Sequence, residues 1–167
     1  PVYITNGINN IHVGISDEEK INKLMNEFVN FYNSKNDVLI KMILCHFMFE
    51  YIHPFYDGNG RINRFISSYI LSKHFNEVIG FRLSMTIKEN LTQYLEAFSH
   101  ANDSRNKADI STFVYEFLDL IYKSYQKTEI YALQVFKSGA TSTATTLVIG
   151  LIRGSLISPR MILESSL

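Results

Sequence analysis

The sequence predicts a mostly α-helical fold that carries one short β-hairpin. Three observations predict it. Apolar residues recur at helical spacing along most of the chain, capping boxes stand before two of these stretches, and Asn6-Gly7 separates two short extended runs near the start. An Asn-Gly dipeptide between such runs favours a tight hairpin turn. Its arms are Val2 to Thr5 and Ile8 to Val13, so the hairpin covers 2–13.

The helices follow in order. Ser16, with Glu19 three residues on, reads as a capping box before Ile21, Leu24, Met25, Phe28 and Phe31. A second helix opens at Asp37, carries Leu39, Ile40, Ile43, Leu44, Phe47 and Ile52, and stops at Pro54, whose ring disfavours helical geometry before it. A loop spans 53–60. A helix from about Gly60 to Phe75 is striped by Ile62, Phe65, Ile66, Tyr69 and Ile70. Thr86 and Glu89 form the second capping box, opening a helix that bears Leu91, Tyr94, Leu95 and Phe98. After a polar loop at 102–108, a last helix is expected from Ile110 to about Tyr125.

Composition bounds the function. Of 167 residues, 46% are hydrophobic, enough for one core without disulfide or metal staples. Sixteen Lys and Arg balance sixteen Asp and Glu, so no overall field points to nucleic acid or to anionic lipid. The lone cysteine, Cys45, can close no internal disulfide and reads as a small buried hydrophobe. Leu147 to Ile152 is too short to cross a bilayer and no apolar leader is visible, so a cytoplasmic, membrane-free protein is expected. The start at Pro1 rather than methionine implies upstream trimming. Residues 1–127 read as one domain and 128–167 as a C-terminal appendage, because 138–146 turns small and polar. Within that appendage Thr141 to Ile157 looks like part of a winged-helix module, with a plain packing segment as the alternative.

The chemistry concentrates in His53-Pro54-Phe55-Tyr56-Asp57-Gly58-Asn59-Gly60-Arg61-Ile62-Asn63-Arg64. Glycines around an asparagine let successive N–H groups face one concavity, which suits an anion. The same groups lead into a helix N-terminus, whose partial positive charge favours phosphate. Arg61 and Arg64, three apart, share a helix face and present guanidinium forks to phosphate oxygens. Asp57 is a hard carboxylate suited to Mg²⁺, and His53 can accept a proton near neutral pH. Taken singly, each has an ordinary reading: a turn residue, a cap, solvated charges. Together they describe a phosphoryl-type transfer site.

This segment resembles the signature of the Fic domain family: His-Pro-Phe, any residue, Asp or Glu, Gly-Asn-Gly-Arg, two residues, Arg. Every fixed position is filled. His46 to Ile52 looks like the helix that leads into a Fic loop, and Ser84 to Asn90 with Tyr94 to Ala97 looks like the family's later helix. The resemblance spans roughly Val2 to Tyr125. It implies a Fic-type helical bundle with a hairpin flap, and a protein adenylyltransferase that moves AMP from ATP to a Ser, Thr or Tyr hydroxyl.

Residue by residue, the resemblance implies that His53 is the general base, that Phe55 points into the core and fixes the loop, and that Asp57 binds Mg²⁺. Gly58, Asn59 and Gly60 then form the anion hole, with Asn59 on the α-phosphate, Arg61 on the β-phosphate and Arg64 on the γ-phosphate. The flap would bind a target protein by strand addition. Doc-type kinases of the family replace the glycine at position 60 with a bulkier residue, so Gly60 favours AMP transfer. Many relatives carry an inhibitory glutamate motif that pairs with the second arginine. The chain holds no match to it, which leaves three alternatives: an inhibitory segment upstream of Pro1, an antitoxin-like partner that supplies one, or no inhibition of this kind. A homo-oligomer stays open.

Two rival functions remain. His46, Glu50 and His53 at i, i+4 and i+7 would suit zinc on one helix face. A nucleotide-binding interaction module of toxin-antitoxin type, its catalysis repressed or lost, would use the same loop without turnover.

Overall fold

The computed structural model describes residues 3–5, 10–75 and 77–137. The expected Asn6-Gly7 turn and the tail 138–167, with its winged-helix reading, lie outside the described residues. Strands β1 (Tyr3–Thr5) and β2 (Asn10–Val13) pair antiparallel, with Tyr3 opposite Val13 and Ile4 opposite His12. The described remainder is helical: α1 (Glu18–Tyr32), α2 (Val38–Ile52), α3 (Asn59–His74), α4 (Glu77–Glu89), α5 (Leu91–Asn102), a short 3-10 turn (Ser104–Asn106) and α6 (Ser111–Lys137).

The central element is α2. It is apolar on most of its surface, as a helix largely enclosed by protein tends to be, and it packs against α1, α3 and α6. Asp37 starts it by accepting the N–H groups of Leu39 and Ile40 at 2.9 and 3.0 Å. Around it Phe47, Phe98, Phe113 and Phe117 pack edge-on and tilted at centroid spacings of 5.1 to 6.0 Å. Each fully buried phenylalanine contributes about 1.5–3 kcal/mol by leaving water, so this aromatic cluster helps hold α2, α5 and α6 together.

Three expectations need correction. Asp17, not Ser16, caps α1, accepting the Lys20 N–H at 2.7 Å. Both residues suit a cap, and the choice between them is made by how the chain enters from the hairpin: Ile15 N–H is already fixed to the Ile52 carbonyl at 3.1 Å. Thr86 does not cap a helix. It lies fully buried inside α4, its hydroxyl has no hydrogen-bond partner among the described residues, and the break falls four residues later at Asn90. No helix was expected at 77–85, a stretch in which Val78, Ile79 and Gly80 are poor helix formers. Close packing on α3 makes it one: a Cβ at Gly80 would stand 2.5 Å from the Ser68 carbonyl oxygen and 2.7 Å from Ser72 Cβ.

The third concerns α6, expected to end near Tyr125, which runs on to Lys137. Position 128 therefore lies inside a helix. The buried stripe Phe113, Phe117, Leu120 continues through Ser124 and Thr128, whose hydroxyls donate to the carbonyls of Leu120 and Ser124, each at 2.8 Å. Small hydroxyl residues bonded to their own helix can be buried as readily as apolar ones. That hides the stripe from a hydrophobic pattern.

Candidate active site

The loop between α2 and α3 is built by conformational extremes at both ends. His53 terminates α2 in the left-handed region (φ 52°, ψ 58°), and its N–H still bonds the Phe49 carbonyl at 2.9 Å. A non-glycine residue there is uncommon and must be held by its surroundings. Gly58 opens α3 at φ 85°, where a side chain would be strained. Gly58 supplies no side-chain cap, so the first turn of α3 takes none of its N–H partners from a capping side chain.

Between these ends Asn59 clamps the loop. Its side-chain oxygen accepts the Phe55 N–H at 2.9 Å and its amide donates to the Phe55 carbonyl at 2.6 Å, with the residue 1% exposed. The Asn59 amide, which the resemblance assigned to the α-phosphate, is thus occupied in holding the loop. Phe55, expected in the core, is 48% exposed, with its ring 6.3 Å from that of Phe49. The loop is fixed by a polar pair and not by a buried ring.

The structure divides the expected site residues into two groups. His53, Gly60 and Arg64 line one cleft of about 240 Å³, together with Glu50 and the residues Leu91, Tyr94, Leu95 and Phe98. Its polar wall comes from α2, the loop and α3, and its apolar wall from α5. Asp57 and Arg61 sit apart from that lining at the rim, paired with each other at 2.9 Å. Asp57 also accepts the Gly58 N–H at 2.6 Å. Both side chains of the rim pair are largely exposed, so the pair contributes at most about 1 kcal/mol and opens easily.

Under the cleft lies a buried polar network. His46 Nδ1 meets Ser67 Oγ at 2.7 Å and its Nε2 meets Tyr94 Oη at 3.0 Å. Ser67 spends its only proton on the Asn63 carbonyl at 3.0 Å, so it must accept from His46 Nδ1–H, and Nε2 must accept from Tyr94. Burial pushes His46 down to about 4, against the pull of Glu50. Both ring nitrogens are therefore committed, which removes His46 from the zinc reading. Among the described residues no group of three or more His, Cys, Asp or Glu could hold a metal ion.

Glu50 is the residue that sequence reasoning undervalued, having weighed it only as a zinc ligand. It is 5% exposed; Asn63 Nδ2 donates to Oε1 at 3.1 Å, and Oε2 stands 3.6 Å from His53 Nδ1. Burial pushes its carboxyl up, but His53, His46 and Asn63 together outweigh that and hold it below the usual value. A signal was available: a carboxylate within a largely apolar helix needs partners, and Glu50 lies one turn before His53. His12 was also missed. Its Nε2–H donates to the Tyr51 carbonyl at 2.7 Å and its ring packs on Tyr51 at 4.8 Å, pinning β2 beside the end of α2.

A helical body with a short hairpin pinned beside a glycine-bearing loop, where a histidine and an arginine share one cleft, defines a class of small helical domains built around a loop-to-helix site. Residues 3–71 match the family model described as the Fic/DOC family. The chain is similar to a protein of Aquifex aeolicus (strain VF5) described as a probable protein adenylyltransferase, at 34% identity over 82 residues, 48% of this chain and 23% of that protein. It is also similar to the protein adenylyltransferase Fic of Aedes aegypti, at 30% identity over 95 residues, 54% of this chain and 17% of that protein. The matched span is thus less than a quarter of either relative. Among the described residues no helix is long and apolar enough to cross a membrane.

Proposed function

We propose that this chain carries the catalytic core of a protein adenylyltransferase, which moves AMP from ATP to a hydroxyl side chain of a target protein. One observation supports the reading above others: His53, Gly60 and Arg64 face the same cleft, so a base and a guanidinium flank a glycine-backed space. In the reaction the target hydroxyl gives its proton to His53 as its oxygen attacks the α-phosphorus of ATP. The bond from that phosphorus to the bridging oxygen breaks and pyrophosphate leaves. Arg64 offsets charge on the leaving phosphates, and the loop N–H groups hold the α-phosphate.

Gly60 supports AMP transfer over phosphorylation. A Cβ there would meet Arg64 Nη1 at 3.0 Å, so the guanidinium would have to shift by a few tenths of an ångström to admit one. Asp57 fits the magnesium ion that the family implies. A single exposed carboxylate, with phosphate oxygens and water completing the shell, is the usual donor set for that ion, and Asp57 has only a weak exposed partner to release. Bound there, the ion would neutralise phosphate charge.

The flap is proposed to take the target as an added strand along β1, since β2 is already held to the body through His12. Among the described residues no carboxylate pairs with Arg64, and an inhibitory segment or antitoxin-like partner would act by supplying one. The test is to incubate the chain with Mg²⁺ and α-labelled or γ-labelled ATP, and follow label into protein. Transfer of the α-label alone is expected. Transfer of the γ-label would make it a kinase, and ATP binding without transfer of either would make it a binding module.

A further inference from the structure

We propose that Glu50 is a positioning residue: it acts through His53 Nδ1–H to hold the imidazole in the tautomer that leaves Nε2 free for the target's proton. The inference deepens the transferase reading and rests on His53 being its base.

The geometry leaves His53 Nδ1 few choices. The atom is buried and has no hydrogen-bond partner among the described residues. Glu50 Oε2 faces it at 3.6 Å, within ion-pair range and slightly beyond a formed hydrogen bond. If Nδ1 carried a lone pair, two electron-rich atoms would face each other in a buried space, while a proton on Nδ1 turns the same contact into attraction. The carboxylate itself is not free to turn away. Asn63 holds its other oxygen at 3.1 Å and is itself fixed by donating to the His46 carbonyl at 2.9 Å.

The other groups near the ring offer no substitute. His12 is committed to Tyr51, Tyr94 to His46, and Arg64 has only donors. A carboxylate held by one donor and aimed at the far nitrogen of a base is the arrangement by which an acidic residue fixes tautomer and ring orientation without touching the substrate. Catalytic hydrogen bonds are often long before substrate binds, and closing of the 3.6 Å gap belongs to the nucleotide complex.

The test combines a ring-nitrogen NMR measurement with kinetics on wild type, Glu50→Gln and His53→Ala, the last serving to assign the His53 signal. In neutral wild-type protein without nucleotide, the proton is expected on Nδ1. In Glu50→Gln the tautomers should mix, because the amide keeps an oxygen at only one of the two positions that face Asn63 and His53. The kcat for AMP transfer should then fall by about 100-fold, the scale of a misaligned catalytic group, while KM for ATP stays within about twofold. A wild-type proton on Nε2 overturns the proposal even if Glu50→Gln fails to fold. Wild-type kcat in a folded Glu50→Gln also overturns it, leaving the transferase reading intact. A wild type that transfers no AMP, yet shows the Nδ1–H tautomer and loses it in Glu50→Gln, upholds the contact and sinks the transferase reading instead.

Discussion

Asn59 closes the loop onto Phe55 twice, accepting its N–H at 2.9 Å and donating to its carbonyl at 2.6 Å. Those bonds span the residues from which the proposed anion site is made. Replacing Asn59 by Ala removes both and leaves two backbone groups to find water. A loss of roughly 1–3 kcal/mol of stability is expected, with ATP affinity falling as the loop loosens. Chemical denaturation and calorimetric titration with ATP check the two effects. Unchanged ATP affinity in Asn59→Ala would show that the loop shape does not matter to the nucleotide.

His53→Ala is expected to leave ATP binding close to wild type and to cut AMP transfer by about 10²- to 10⁴-fold, the usual share of a general base. The left-handed backbone at His53 tolerates Ala poorly, so the folded fraction must be measured alongside. Transfer at the wild-type rate in folded His53→Ala would remove His53 from the mechanism.

Asp57→Ala should abolish the Mg²⁺ dependence of ATP affinity while leaving metal-free binding nearly unchanged. Among the described residues its partners are the exposed Arg61 and the neighbouring Gly58 N–H, so little stability is at stake. Titration with and without magnesium decides the matter. A Mg²⁺ effect that persists in Asp57→Ala returns that residue to the role of a turn.

Gly80→Ala is expected to destabilise the protein by about 1–3 kcal/mol through overpacking. The new methyl meets the α3 backbone at Ser68 and the Ser72 side chain, and backbone cannot step aside as a long side chain can. A wild-type unfolding midpoint in the variant would contradict the close crossing of α3 and α4.

Acidification should weaken the fold before any buried carboxylate protonates. His46 is held down to about 4 by burial, and His12 is also lowered by burial, against an ordinary value of 6.5. The unfolded chain then binds protons that the folded chain refuses, so stability falls as pH drops below about 6.5 and levels off below the folded values. The slope from His46 is at most about 1.4 kcal/mol per pH unit. Glu50 contributes in a lower window, since its carboxyl lies below its usual value and its stabilisation is lost only as pH falls through that lowered value. Urea midpoints between pH 7 and 4 check this, and His46→Gln should flatten the slope.

The sequence by itself determined the fold class, the position of α2 and α3, the loop between them and the likeness of the segment 3–71 to the Fic/DOC family model. Each of these is written in local terms. Asp37 and Pro54 bracket α2, the glycines mark the loop, and helical periodicity needs only neighbours along the chain. The tertiary structure decided the rest. It made α4 a helix by burying Gly80 against α3, carried α6 past Tyr125 on hydroxyls bonded to their own turn, and chose Asp17 over Ser16. It also sorted the site residues, bringing His53, Gly60 and Arg64 to one cleft, leaving Asp57 and Arg61 at the rim and turning Asn59 inward. Glu50 shows the reason. A carboxylate inside an apolar helix declares that it needs partners, but which ones it finds depends on α3 delivering Asn63 and on the α2 terminus turning His53 back. That is a matter of packing between elements, which spacing along the chain does not encode.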